Sequence, residues 1–196
     1  MNQNKIKLHF KKVDPVIYEV MKPVDFGQWW DRPKADYFAA LCEDIIGQQL
    51  SGKVADVIFG RFEKLFYKKQ ITPVRLLRLS DQQIRDIGTS WAKAKYLKDL
   101  ADQVNRRTVL LEQLDGLTDE AVITELTKIK GVGPWTAEMF LIFTLKRPDV
   151  FSFGDLGLNK AIKKLYGKRK IKLIVKRWRP YRSFGSLALW HSLDNV

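Results

Sequence analysis

Two glycines and a proline, Gly131-Val132-Gly133-Pro134, interrupt the otherwise helical run between Leu126 and Asp155 and limit what that run can become. Paired glycines permit a tight turn at positive φ and let the backbone approach a ligand closely. Pro134 stands where proline is favoured, at the first turn of a following helix, so the amides of Val132 to Trp135 are predicted to point outward. Amides in that position attract anions, a DNA phosphate among them. Upstream, Thr118 is predicted to cap a helix that opens with Asp119 and Glu120 and carries Val122, Leu126 and Ile129 at helical spacing. Downstream, Trp135 to Leu145 is apolar on nearly every face, the pattern of a helix buried inside a domain. Spacing alone also fits an ordinary glycine-rich turn between two helices.

The rest of the chain reads as helix almost throughout. Phe38, Leu41, Ile45 and Ile46 line one face of a first strong helix, and Ser51 can cap the next, with Val54, Val57, Ile58, Phe62 and Leu65 as its apolar stripe. Ser80-Asp81-Gln82-Gln83 reads as a capping box, Gly88 as a stop, and Ser90 as the cap of a helix bearing Tyr96, Leu97, Leu100 and Val104. Asp155 is predicted to cap a helix carrying Leu158, Ile162 and Leu165 and ending at Gly167. No segment alternates convincingly as a strand. The expected fold is all-α.

The 196 residues suffice for a sizeable core, as one domain or two small lobes. The formal charge of +13 is placed unevenly: residues 160–182 hold eleven Lys or Arg and no Asp or Glu. Such a block is the footprint of a protein that meets a polyanion, and together with a phosphate-binding hairpin it points to DNA. A single cysteine, Cys42, excludes an internal disulfide and a four-cysteine iron–sulfur cluster, and on its helix it reads as a small core residue. His9 and His191 are too far apart in sequence to suggest zinc. With no signal peptide and no apolar run of membrane-spanning length, the expectation is an intracellular protein, cytoplasmic in a prokaryote or nuclear in a eukaryote, without a membrane partner.

Four motifs carry a resemblance: IIGQQLSGKVA at 45–55, GVGPWTAEMFLIF at 131–143, DVFSFGDLGLNKA at 149–161 and RWRPYRSFGSLALW at 177–190. In this order they make the chain similar to the helix-hairpin-helix (HhH-GPD) DNA glycosylases, and within them to the alkyladenine branch, the type II 3-methyladenine DNA glycosylases. The resemblance implies two helical lobes with the active site in a cleft between them, residues 37–145 forming one and 1–36 with 146–196 the other. It implies base excision repair of alkylation damage: double-stranded DNA is bound, a 3-methyladenine or 7-methylguanine type purine is flipped out and hydrolysed off, and an abasic site remains. A monomer is expected.

The resemblance also assigns residues. Asp155 matches the catalytic aspartate, whose carboxylate would stabilise the oxocarbenium-like sugar and orient water; taken alone, it is simply a helix cap. Bifunctional members carry a lysine two residues after the second hairpin glycine. Trp135 stands there instead, which implies a monofunctional enzyme without lyase activity. Trp135, Trp178, Met139 and Trp30 are the base-pocket candidates, with Trp29 beside Trp30 on the same pocket wall, since aromatic faces attract cationic purines. Gln49 is the wedge expected to fill the gap left by the flipped nucleotide, with Leu50 as the alternative. Lys130, Gly131, Val132, Gly133 and Trp135 would bind phosphate. The main-chain oxygens of Thr127, Ile129 and Val132 would hold a structural sodium or potassium ion, and no other cofactor is required. Arg182 and Ser183 read either as structural motif residues or as a phosphate contact. Pocket shape is not legible, so hypoxanthine, uracil or an oxidised base stand as other lesions, and a non-catalytic damaged-DNA binder stands as the third reading.

Overall fold

The structure is a computed structural model and describes residues 2–33 and 35–194. Among them every regular element is helical. The N-terminal arm forms α1 (Gln3–Val13), α2 (Pro15–Met21) and α3 (Gly27–Trp30). Next come α4 (Tyr37–Gly47), α5 (Gly52–Glu63), α6 (Pro73–Arg78), α7 (Asp81–Asp86), α8 (Trp91–Asn105), α9 (Asp119–Leu126) and α10 (Pro134–Met139). The C-terminal arm adds α11 (Leu156–Tyr166), α12 (Ile171–Lys176) and α13 (Arg182–Asp194). The chain divides into two compact units, Lys34–Phe140 and Met1–Pro33 with Leu141–Val196. No helix among the described residues is long and apolar enough to cross a membrane.

Local chemistry sets most helix starts in the Lys34–Phe140 unit. Asp36 accepts the Ala39 amide at 3.0 Å to open α4, and Thr118 accepts that of Ala121 at 3.2 Å to open α9. Ser80 and Gln83 form both halves of the capping box of α7, and Ser90 accepts the Lys93 amide to open α8. Ser51 takes the cap position of α5 without a side-chain hydrogen bond. The stripe expected on α5 is also only partly used: Ile58 and Phe62 are buried, whereas Val54 and Val57 are exposed. Cys42 is fully buried, and burial pushes its thiol well above the ordinary range, so it packs as a small apolar residue.

The run from Trp135 is not one uniformly buried helix. It is α-helical to Met139 and then winds as a π turn over Phe140–Thr144. Thr136, Ala137, Met139, Phe140, Leu141 and Ile142 are buried, but Trp135 and Phe143 are each 45% exposed.

In the Met1–Pro33/Leu141–Val196 unit, Phe10, Phe26, Trp178 and Phe184 are fully enclosed, and α13 packs against α2 and α11. The loop leading to Asp155 is fastened to the start of α13. Arg182 Nε donates to Asp149 Oδ1 at 2.8 Å and its Nη2 to Oδ2 at 3.2 Å, while Ser183 Oγ accepts the Val150 amide at 3.0 Å and donates to the Arg147 carbonyl at 2.5 Å. Asp149, Arg182 and Ser183 therefore act as the clamp that fixes where Asp155 begins its helix.

Candidate functional site

One face of α8 carries both features that the sequence reserves for DNA. Lys93, Tyr96 and Asp99 recur at intervals of three on this helix. Lys93 Nζ donates to the carbonyls of Ile46 and Gln48 at 2.8 and 2.6 Å, which satisfies the end of α4 and holds the turn that follows. In that turn Gln49 adopts φ 59°, a left-handed conformation that costs a glutamine energy unless its surroundings impose it. Gln49 and Leu50 are both exposed at its tip. Tyr96 lies beneath the hairpin: Gly131 has φ +84°, and a Cβ there would stand 2.2 Å from the tyrosine ring. Asp99 accepts the Lys130 amide at 2.9 Å. Gln48 then joins the two turns, its Nε2 donating to the Gly131 carbonyl at 2.8 Å and to Thr136 Oγ1 at 3.2 Å.

These contacts amend the expected phosphate cradle. The Val132 amide is used inside the turn on the Ile129 carbonyl at 3.0 Å, and that of Lys130 on Asp99. Neither points outward to an anion. The Lys130 side chain is 79% exposed, with its Nζ 3.9 Å from Asp99 Oδ1. Pro134 opens α10 as expected.

In the other unit Asp155 is buried, 7% exposed, and caps α11 by accepting the Leu158 amide at 2.7 Å on Oδ1. The same oxygen accepts the Trp190 indole N–H at 3.2 Å. Two donors on Oδ1 fix the carboxylate plane. Trp190 faces Phe143 at 5.5 Å between ring centroids, and both line a cavity of about 440 Å³ together with Trp29, Phe26, Arg32 and His191. Trp29 is held there by its indole N–H, which donates to the Ile142 carbonyl at 3.1 Å.

Two of the predicted aromatic residues take other places. Trp178 is fully buried, its Nε1 donating to Asp14 Oδ2 at 2.8 Å, its ring edge-on to Phe10 and Phe151, and a Cβ on Gly185 would stand only 2.5 Å away. A ring enclosed in this way has no face for a base; it is core. Trp30 stacks on Phe184 at 5.9 Å, and it is its neighbour Trp29 that borders the cavity. Trp135 and Met139 share one face of α10, the first half exposed and the second buried. The basic block also divides. Arg182 is committed to Asp149, Arg179 lies 3.9 Å from it and Arg177 3.4 Å from Asp14, while Lys160, Lys163, Lys164, Arg169, Lys170, Lys172 and Lys176 are exposed.

Comparison with known proteins places this geometry in a family. The sequence model of the HhH-GPD superfamily base excision DNA repair proteins matches residues 42–179. The chain belongs to the HhH-GPD superfamily. YfjP of Bacillus subtilis is 34% identical over 76% of this chain, which spans 56% of the length of YfjP. A DNA-3-methyladenine glycosidase from Bacillus halodurans, solved as a crystal structure, is 34% identical with a TM-score of 0.80, over 95% of this chain and 88% of that one. The Schizosaccharomyces pombe 3-methyladenine DNA glycosylase, solved in complex with abasic DNA, is 27% identical with a TM-score of 0.84, over 97% of each chain.

In this HhH-GPD protein the residues missed by sequence reasoning are Gln48, Lys93, Tyr96 and Asp99, which hold the two turns, and Trp190, which holds Asp155. Lys93 and Asp99 look like ordinary charges on an amphipathic helix, and only their partners reveal the role. Asp44 was missed as well. Its Oδ2 is buried without a hydrogen-bond partner, and burial, with the charge of Glu43 adding, pushes its carboxyl up to about 7. Between its ordinary range near 4 and that value, the folded protein binds a proton that the unfolded chain has released. Stability is therefore expected to fall as pH rises from 4 to 7, and Asp44→Asn should flatten that slope. Urea midpoints of both proteins at pH 4.5 and 7 check this; parallel slopes would contradict it.

Proposed function

We propose that this protein is a monofunctional DNA glycosylase that hydrolyses alkylated purines, of the 3-methyladenine and 7-methylguanine type, from double-stranded DNA and leaves an abasic site. The observation that carries the reading is Asp155, a buried carboxylate whose Oδ1 is fixed by the Leu158 amide and the Trp190 indole beside an aromatic-lined cavity. The names of the similar proteins from Bacillus halodurans and Schizosaccharomyces pombe support the lesion class.

Chemically, departure of the base leaves positive charge on the deoxyribose. A preoriented carboxylate stabilises that charge without having to reorganise, and it can orient or deprotonate the attacking water. Alkylated purines are cationic and leave readily, so recognition can rest on aromatic faces. Trp190, Trp29 and Phe143 supply such faces in the unit that holds Asp155, at about 0.5–2 kcal/mol for each close cation–π contact, and the resemblance assigns Trp135 and Met139 to the base pocket as well. Gln49, held in a left-handed turn by Lys93, is the residue assigned to enter the duplex, with Leu50 beside it as the alternative. Because Trp135 stands two residues after Gly133, where the resemblance places the Schiff-base lysine of bifunctional relatives, water is the nucleophile.

DNA backbone contact is assigned to the Lys130 side chain, the amides of Gly131, Gly133 and Trp135, and the exposed lysines of the 160–176 segment. The Ile129 carbonyl accepts one turn hydrogen bond and keeps a second lone pair, and the carbonyls of Thr127 and Val132 accept none of the turn's own backbone bonds. These three hard oxygens suit sodium or potassium, which would add positive charge beneath a phosphate. A monomer is sufficient for all these roles.

Affinity for undamaged duplex should fall steeply with salt: neutralising about six phosphates predicts a loss on the order of 10³-fold between 50 and 200 mM. Fluorescence anisotropy across that range measures it, and a flat response would remove the basic segment from the DNA face.

A further inference from the structure

A second cavity in the Met1–Pro33/Leu141–Val196 unit has no part in the mechanism above. It measures about 580 Å³ and is lined by Phe153, Asn159, Lys170, Ile171, Lys172 and Leu173: three bulky apolar side chains, one amide and two ammonium groups. Phe153 and Leu173 are exposed, although their neighbours Phe151, Ile174 and Val175 are buried. Phe153 is nevertheless held in place. Its ring is edge-on to Phe151 at 4.9 Å, Phe151 is edge-on to the enclosed Trp178 at 5.9 Å, and the Phe153 carbonyl accepts Asn159 Nδ2 from α11 at 2.9 Å. An aromatic ring fixed by the core and left open to solvent is a platform on which a planar group can stack. The surroundings are strongly positive: Lys170 and Lys172 belong to the stretch 160–182 that has eleven Lys or Arg and no Asp or Glu, and Lys168, Arg169 and Lys176 are exposed beside them. Such a rim draws an anion, and the lining suits an anion that also carries a flat apolar group.

We propose that this cavity is a subsite for an unpaired nucleotide of DNA, whose base packs against Phe153, Ile171 and Leu173 while its phosphates meet Lys170 and Lys172. The inference rests on the assignment of the 160–176 lysines to the DNA backbone, since the cavity continues their track. Duplex DNA does not fill it. In a duplex the bases are paired and stacked away from solvent and only sugar and phosphate face outward, so three apolar side chains would gain nothing from it. An acidic peptide would satisfy the lysines, but it lies outside the DNA track that the same segment supplies. An unpaired nucleotide offers both halves at once, a π-face for the ring and a phosphate for the ammonium groups. Every base has such a face, so the subsite takes the class of single-stranded nucleotide rather than one base. DNA opened into a single strand is then held by more than its charge.

The test is fluorescence anisotropy with three labelled probes: an oligothymidylate of about twelve nucleotides, an abasic strand of the same length with the same phosphates and no bases, and an undamaged duplex. Wild type is compared with Phe153→Leu, which keeps an apolar side chain and removes the ring, and with Leu173→Ser. The expected result is that wild type binds oligothymidylate roughly tenfold or more tightly than the abasic strand, that each variant loses most of that difference, and that both keep their affinity for duplex within about threefold, which also reports that they are folded. Equal wild-type affinity for the two single strands would overturn the proposal, because charge alone would then account for binding. A preference for bases that survives in both variants would overturn it too, by placing the base on another surface. So would tighter binding of a glutamate-rich peptide with one phenylalanine than of oligothymidylate, which would make the cavity a protein-docking site. None of these readings involves base release, so each of those failures leaves the alkylpurine reading standing. A wild type that binds no duplex would instead remove the DNA assignment, and the proposal with it.

Discussion

Asp155→Asn should lower base release by about 10²- to 10⁴-fold and leave affinity for DNA within a few-fold. The expectation separates two duties of one side chain. As a cap, Asp155 accepts the Leu158 amide at 2.7 Å, and asparagine caps a helix about as well as aspartate, so α11 and the fold should survive. As a catalytic carboxylate it must carry negative charge towards the sugar, and a neutral amide cannot. Anisotropy with an uncleaved duplex measures the first duty and single-turnover base release the second. If Asp155→Asn turned over like wild type, Asp155 would be a cap alone.

Gly131→Ala should be among the most damaging single substitutions in the chain. The residue sits at φ +84°, where an L side chain costs about 1–2 kcal/mol. Its Cβ would also stand 2.2 Å from the Tyr96 ring, which α8 holds in place, and overpacking of that kind costs about 1–3 kcal/mol. The sum, about 3 kcal/mol, corresponds to a fall in Tm of roughly 6–12 °C for a protein of this size. Gly131→Ala combined with Tyr96→Ala should recover part of the loss, since the clash is relieved while the backbone cost remains. Thermal melts of the single and double variants measure this. A Gly131→Ala protein as stable as wild type would mean that the hairpin does not pack on α8 as described.

What the sequence discloses divides by how far apart the partners lie. Helix starts depend on residues three positions apart, and Thr118, Ser80 with Gln83, Ser90 and Asp155 all cap as their spacing predicts. The all-α fold and the family follow from the same local signals, repeated in order along the chain. Burial of a particular face is a different matter. Trp178 resembles a pocket aromatic in its motif, but its fate is decided by Asp14, 164 residues away, and by Gly185, which leaves room for the ring. Val54 and Val57 continue the α5 stripe in sequence yet remain exposed, because the core takes only the Ile58 and Phe62 edge of that helix. The supports of the site were hidden for the same reason. Gln48 bridges to residues 83 and 88 positions away, and Lys93 to carbonyls 47 and 45 positions away. Trp190 closes the last of the four motifs, but nothing local marks it as the partner of Asp155, 35 positions away.

Monofunctional base excision is tested by incubating the wild-type protein with N-methylated duplex DNA and separating products before and after alkali. Free 3-methyladenine or 7-methylguanine is expected in the supernatant, with strands that stay whole until alkali cleaves them at the abasic sites. Bound DNA with no base released, or strands already cut before alkali, would contradict it.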